Sequence, residues 1–313
     1  MNDLFQSAAR KGGYTAQDIE VLEGLEPVRR RPGMYIGGTD EQAMHHLVAE
    51  VFDNAMDEAV AGHATRIELT LSKDGTVTVK DNGRSIPIDP HPKMKGKSAL
   101  EVVLTTLHSG GKFSGKAYQT SGGLHGVGIS VVNALSENLS IEVAREKKAW
   151  RQTYSRGTPT SKLKSIGAAN WRGTSITFSP DPQIFGKAAR FKPARLYAMA
   201  RSKAYLFKGV EIRWSCDPTL LKGDETPAAA TLHFPGGLAG YLTETLAGKE
   251  TLTPEFFSGS AEFPDKAGRM DWAIAWPEND EGFCHTYCNT IPTPQGGTHE
   301  AGMRTALARA MRA

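Results

Sequence analysis

Apolar residues recur at three- and four-residue spacing through His45–Ala59, where Leu47, Val48, Val51, Phe52, Ala55 and Ala59 make one stripe. That spacing predicts an amphipathic helix with a core-facing side. Flush against the stripe run Glu50, Asn54, Asp53, Asp57 and Glu58, and no Lys or Arg stands between His45 and Ala64. Acids gathered on one helix face repel each other unless something positive lies beside them. A bound cation such as Mg²⁺ would suffice, and an ordinary solvated acidic face is the other reading.

The period then changes to two. Arg66–Leu71 and Thr76–Val79 alternate apolar and polar residues around Asp74-Gly75, which predicts a β-hairpin, and Asp81-Asn82-Gly83 closes its second strand. Ser98 opens a helix reaching toward His108, with Glu101 three residues on as a capping box. Ile129–Leu135 reads as an apolar helix; strands are expected at Leu139–Ala144, Ala149–Tyr154 and Gly173–Phe178, then a basic helix near Phe191–Phe207 and a strand Val210–Trp214. Upstream, Tyr14–Leu25 reads as a short helical segment and Arg29–Gly37 as a basic patch followed by a turn. Past a polar stretch at 217–230 come a helix (Gly240–Leu246), strands near Ala261–Phe263, Met270–Trp276 and Cys284–Asn289, and a helix from Thr298.

With 313 residues the chain is long enough for about two domains. It holds no apolar run near the roughly 18 residues of a membrane span. Three cysteines make no disulfide framework, which favours a reducing compartment, and Cys284-His285-x-x-Cys288 lacks the second ligand pair of a zinc site. A net charge of +3 permits a nucleic-acid partner without arguing for one.

Seven glycines crowd residues 109–128, immediately before the Ile129 helix. Such a loop suits backbone N–H groups wrapping a phosphate, or is a plain surface loop. A P-loop is excluded, because His91 stands five residues before the only Gly-Lys-Ser (96–98). A Rossmann fingerprint fails at Val131.

Glu50-x-x-x-Asn54, Asp81-x-Gly83, Gly123-Leu124-His125-Gly126-Val127-Gly128 and Gly173-Thr174 follow the order of motifs in the GHKL (Bergerat-type) ATPases, which the chain resembles. Arg30-Arg31-Pro32-Gly33-Met34-Tyr35-Ile36-Gly37, His108-Ser109-Gly110-Gly111-Lys112-Phe113 and Val131-Val132-Asn133-Ala134-Leu135-Ser136 look like the B subunits of bacterial type IIA topoisomerases. Gly24–Arg31 and Lys112–Tyr118 look more like the topoisomerase IV branch than the gyrase branch.

The resemblance implies an α+β fold: a mixed β-sheet with helices on one face, followed by an incomplete α/β transducer. It implies a dimerisation arm at 1–20, an ATP-binding domain at 21–222 and a partial transducer at 223–313. By the same resemblance Glu50 is the general base, held by His46, and Asn54 is the Mg²⁺ ligand. Asp81 accepts from the adenine amino group with Thr174 beside it, and Gly83 and Ile86 line that pocket. Lys112, Tyr118, Leu124, His125, Gly126, Val127 and Gly128 close over ribose and phosphates, while Tyr14 reaches the partner's nucleotide. Arg84, Pro87 and Arg145 border the region where aminocoumarin-type inhibitors bind, and Asp53, Asp57 and Glu58 support local structure. The implied cofactors are ATP and Mg²⁺. The implied partners are DNA, the A subunit of topoisomerase IV and a second copy of the B chain, in a cytoplasmic enzyme that decatenates DNA, without a membrane.

Two departures stand out. Ser85 occupies the last position of the family's Asp-x-Gly-x-Gly box; if the backbone there is left-handed, Ser costs about 1 kcal/mol. Neither the family's Gln-Thr-Lys triplet, whose lysine meets the γ-phosphate, nor its Glu-Gly-Asp-Ser motif of the DNA-cleaving half occurs. The expected protein is therefore the ATPase part of such an enzyme, or a nucleotide-binding dimerisation module that hydrolyses little on its own.

Overall fold

A computed structural model describes residues 16–111, 126–264, 268–278 and 282–312. Tyr14, Lys112, Tyr118, Leu124 and His125 lie outside these residues. Helices α1 (Glu26–Arg30), α2 (Gly33–Ile36) and α3 (Glu41–Val60) lead into the hairpin β1 (Arg66–Leu71) and β2 (Val77–Asp81). Then come α4 (Ala99–Thr105), α5 (Gly128–Ala134), β3 (Ser136–Arg145), β4 (Lys148–Ser155), β5 (Thr158–Pro159), β6 (Lys164–Ala168) and β7 (Gly173–Pro180). Next are α6 (Pro182–Phe185), α7 (Pro193–Leu206), β8 (Glu211–Cys216) and β9 (Ala229–Leu232). The remaining elements are α8 (Gly237–Thr245), the pair β10 (Phe257–Glu262) and β11 (Arg269–Ile274), the pair β12 (Tyr287–Cys288) and β13 (Ile291–Pro292), and α9 (Thr298–Ala310).

β1 to β9 form one mixed sheet in the order β5-β4-β3-β7-β2-β1-β8-β9, with β6 also on β4. Among the described residues only β1 and β8 pair in parallel; the long segment between them includes α7, which packs on β8. The period-two pattern sorts the faces. Ile67, Leu69, Leu71, Val77 and Val79 are buried on the face that α3 covers, whereas the opposite face carries hydroxyl pairs, Thr70 with Ser215 at 2.8 Å and Thr78 with Thr177 at 2.9 Å. The chain is thus α+β, with its helices on one face of a mixed sheet. No helix among the described residues is long and apolar enough to cross a membrane.

The whole α3 stripe is buried, and Asp40 caps the helix by accepting from Ala43 N at 2.9 Å. Five sequence expectations need correction. In the described part of Tyr14–Leu25 the only helical turn is Ala16–Asp18, because Ile19 and Val21 are exposed and find no core to cover. The Arg29–Gly37 segment, expected as a basic patch followed by a turn, is more regular. It folds as α1 and α2, and Arg29 donates to Ala134 O (2.7 Å) and to the fully buried Asp181 Oδ2 (2.7 Å). Helix α4 stops at Thr105, where Ser109 Oγ donates to the terminal carbonyls of Val102 and Thr106. Its capping box is half formed: Ser98 Oγ accepts from Glu101 N, but the Glu101 carboxylate accepts from Gln152 Nε2 instead. The strand expected over Cys284–Asn289 is only Tyr287–Cys288.

Candidate nucleotide site

His46, Glu50, Asn54 and Glu58 succeed one another at four-residue intervals, which puts them on one side of α3. Glu50 Oε1 is 3.6 Å from His46 Nδ1, an ion-pair distance longer than a hydrogen bond. Asn54 Nδ2 donates to Glu50 O at 2.8 Å. That bond fixes the amide and commits its nitrogen end, so a cation would meet the Oδ1 end, a donor type suited to Mg²⁺.

Packing of α5 on α3 brings Gly128 against Glu50. A Cβ on Gly128 would stand 2.0 Å from Glu50 Oε2, so only glycine leaves the carboxylate where it is. Gly126, with φ 62°, turns the chain just before this point, and its carbonyl accepts from Ser109 N. Val127 is half-buried against the core and precedes α5 directly.

At the other end of the stripe, β2 delivers Asp81. Opposite Ile67 in register, it continues the apolar, helix-covered face of β2 as a carboxylate only 7% exposed. Burial pushes its pKa up to about 6; the Gly83 and Thr174 amides oppose the rise, and the nearby Glu58 charge adds to it. Asp81 Oδ1 accepts from Gly83 N at 2.7 Å and Thr174 N at 3.4 Å. The space around it is cleared by glycines: a Cβ on Gly173 would meet Asp81 O at 2.0 Å, and one on Gly83 would meet Glu58 Oε2 at 2.7 Å. Ile86 is half-buried and packs against the core beyond this turn.

Residues that the motif reading passed over hold the Asp81 turn in place. Asn82 Oδ1 accepts from Thr65 N and Arg66 N, and Arg172 Nη2 donates to His63 O and Asn82 O. An Asn inside a turn is a legible signal for such bonds; Arg172 carries none. Glu58 accepts from Arg84 N and Nη2, each at 2.8 Å, and Asp53 pairs with Lys203 of α7. Glu58 and Asp53 therefore do have cationic partners, supplied by other segments of the chain, and no bound metal is needed to balance them. Ser85 has φ 68°, so the left-handed backbone is real at that position. Cys284 and Cys288 are both exposed and free, and among the described residues no group of three or more His, Cys, Asp and Glu is placed to hold a metal.

Residues 39–184 match the family model for histidine kinase-, DNA gyrase B-, and HSP90-like ATPases, and residues 237–313 match that for DNA gyrase B. The chain is 58% identical over 312 residues to the B subunit of DNA topoisomerase 4 from Caulobacter vibrioides, covering 98% of this chain and 45% of the relative. It is 52% identical to the Rickettsia bellii protein of that name (100% and 48% covered) and 44% identical to the Pseudomonas aeruginosa one (96% and 46%). It spans just under half the length of these curated relatives. Its backbone superposes on the 43K ATPase domain of Thermus thermophilus gyrase B, solved in complex with an aminocoumarin, with a TM-score of 0.76 and 39% identity, covering 92% of this chain and 72% of that one.

Proposed function

Because the chain belongs to the ATPase part of the B subunits of bacterial type IIA DNA topoisomerases, we propose that α3 is the floor of an ATP site with its base end at Asp81 and its phosphate end at Glu50. One observation carries this reading. A buried carboxylate with a raised pKa and backbone amides as its hydrogen-bond donors sits at one end of the stripe, and a carboxylate cleared by a glycine sits at the other. Glu50 and Glu58 mark these ends, about 12 Å apart along the helix axis, a span suited to a nucleoside triphosphate.

Asp81 accepts from the adenine amino group, and Thr174, Gly83 and Ile86 complete the base pocket. Gly126, Val127 and Gly128, with Lys112, Tyr118, Leu124 and His125, close on the ribose and phosphates. Asn54 Oδ1 would hold Mg²⁺, which would neutralise charge on the phosphate oxygens. Glu50 orients the attacking water and takes its proton, a contribution typically of 10²–10⁴-fold, and His46 keeps the carboxylate in position. The transducer would begin near residue 223, and Tyr14 would reach the nucleotide of a second copy. In the whole enzyme, nucleotide-driven dimerisation closes a gate on DNA, in complex with the A subunit of topoisomerase IV, in the cytoplasm.

A second reading is that these 313 residues, among which no Gln-Thr-Lys triplet occurs, bind nucleotide and dimerise but by themselves turn over slowly. Calorimetry with ATP and with a non-hydrolysable analogue, beside single-turnover hydrolysis by this chain and by one extended through that segment, tests both. Binding with equal rates in the two chains removes the second reading; absence of binding removes both.

A further inference from the structure

Lys203 is 4% exposed, on the side of α7 that also buries Leu196, Ala200 and Ala204. An ammonium is tolerated in such a place only when its charge is paired and its three donors are engaged. Its Nζ lies 2.5 Å from Asp53 Oδ1 and donates to Thr290 O (2.7 Å) and Thr290 Oγ1 (3.3 Å). All three partners come from outside α7, and they belong to two different parts of the chain.

Asp53 immediately precedes Asn54 and lies one helical turn after Glu50. Thr290 is in the two-residue turn between β12 and β13, where Asn289 has φ 48° and Thr290 has φ 70°. Successive left-handed residues are the turn that Asn-Gly favours, and a β-branched residue in the second place is a genuine outlier. The strained residue is the one whose carbonyl and hydroxyl Lys203 holds, and Ser202 Oγ adds a bond to Tyr287 OH of the same hairpin. Opening this turn would leave the Asp53–Lys203 pair without its remaining hydrogen bonds, next to Glu50 and Asn54.

We propose that Lys203 is a positioning residue that couples the strained Asn289–Thr290 turn to the α3 residues Glu50 and Asn54 through its ion pair with Asp53. The inference rests on the nucleotide reading above. A nucleotide that fixes the Glu50–Asn54 turn of α3 fixes Asp53, keeps the ammonium in place and holds the Thr290 turn closed. Linkage makes the effect reciprocal: closing the turn strengthens nucleotide binding by the same factor.

The test uses the full chain with a non-hydrolysable ATP analogue. Hydrogen exchange of peptides covering residues 287–292 is followed with and without analogue, and affinity is measured by calorimetry, for the wild type, Lys203→Met and Asp53→Asn. Saturating analogue is expected to slow exchange of the turn about 5-fold or more in the wild type. In Lys203→Met the slowing disappears and affinity falls by a similar factor. Asp53→Asn, which keeps the shape and leaves Lys203 its two bonds to Thr290, is expected to do the same and carries the test if Lys203→Met does not fold. A merely structural lysine would lower stability yet leave the analogue-dependent slowing intact, and that result overturns the proposal. Analogue binding without slowing in the wild type overturns it as well, while the nucleotide reading stands. No binding at all by the wild type sinks the nucleotide reading, and the coupling with it.

Discussion

Gly128 and Glu50 are in direct contact: the Cα of the first helical residue of α5 rests against the carboxylate of α3, and a Cβ there would fall 2.0 Å from Oε2. The atom in the way is the end of a flexible side chain, so Gly128→Ala is accommodated by swinging the carboxylate aside. Little stability should be lost, but Glu50 no longer points where it did. Single-turnover hydrolysis at saturating ATP should fall on the order of 10²-fold. Glu50→Ala should lower hydrolysis by about 10²–10⁴-fold with affinity within a few-fold, and adding Gly128→Ala to it should cost little more, because both changes remove the same function. Full additivity of the two losses would separate Gly128 from the carboxylate's role.

Asp81→Asn should move binding and stability in opposite directions. Weakening a charge-assisted hydrogen bond to adenine costs about 1.5–3 kcal/mol, so ATP affinity should drop on the order of 10- to 100-fold and discrimination against GTP should relax. At pH 7 the variant no longer buries a charge. The rise of the Asp81 pKa from 3.8 to about 6 corresponds to about 3 kcal/mol, an upper figure for the stability gained. Calorimetry and thermal unfolding on one preparation read both effects; unchanged affinity would place the adenine elsewhere.

The same carboxylate sets a pH dependence. Because its folded-state pKa is raised, its contribution to stability is fully present below pH 3.8 and is lost as pH rises through about 6. Nucleotide binding runs the other way, since the ionised form is the acceptor. Affinity should be level above pH 7 and weaken toward tenfold per unit below pH 6, and this bend should vanish in Asp81→Asn. A wild-type titration that is flat from pH 7 to 5 would contradict it.

Ser85→Gly should stabilise the protein by about 1 kcal/mol, since Ser85 is an L-residue at φ 68° and glycine carries no Cβ penalty there. The Ser85 Oγ donates to Arg84 O, a bond that lowers the gain. Denaturant midpoints of the two proteins decide this; a destabilised variant would mean that the hydroxyl bond outweighs the backbone strain.

Gly173→Ala is the contrasting case. Its φ is 125°, and the obstructing atoms are the Asp81 carbonyl and the Asn82 Cα, backbone that cannot swing away. The loss should be on the order of 3 kcal/mol, with ATP affinity falling because the Asp81 turn must shift. A thermal midpoint equal to the wild type would show that the β2–β7 register relaxes without strain.

The chain's local patterns were enough to place much of this architecture. The α3 stripe and the β1–β2 hairpin around Asp74-Gly75 follow from periods of 3.6 and 2, because side-chain direction is tied to local backbone geometry. The glycines at 83, 128 and 173 were visible as motif positions, but spacing could not say what each one clears. That depends on which strand or helix comes to lie opposite. Tertiary structure alone decided the partners of the acids: Lys203 for Asp53 from 150 residues away, Arg84 for Glu58 and Arg29 for Asp181. Ion pairs across such separations have no period in the sequence. They form only after burial has brought the elements together and made an unpaired charge too costly to keep.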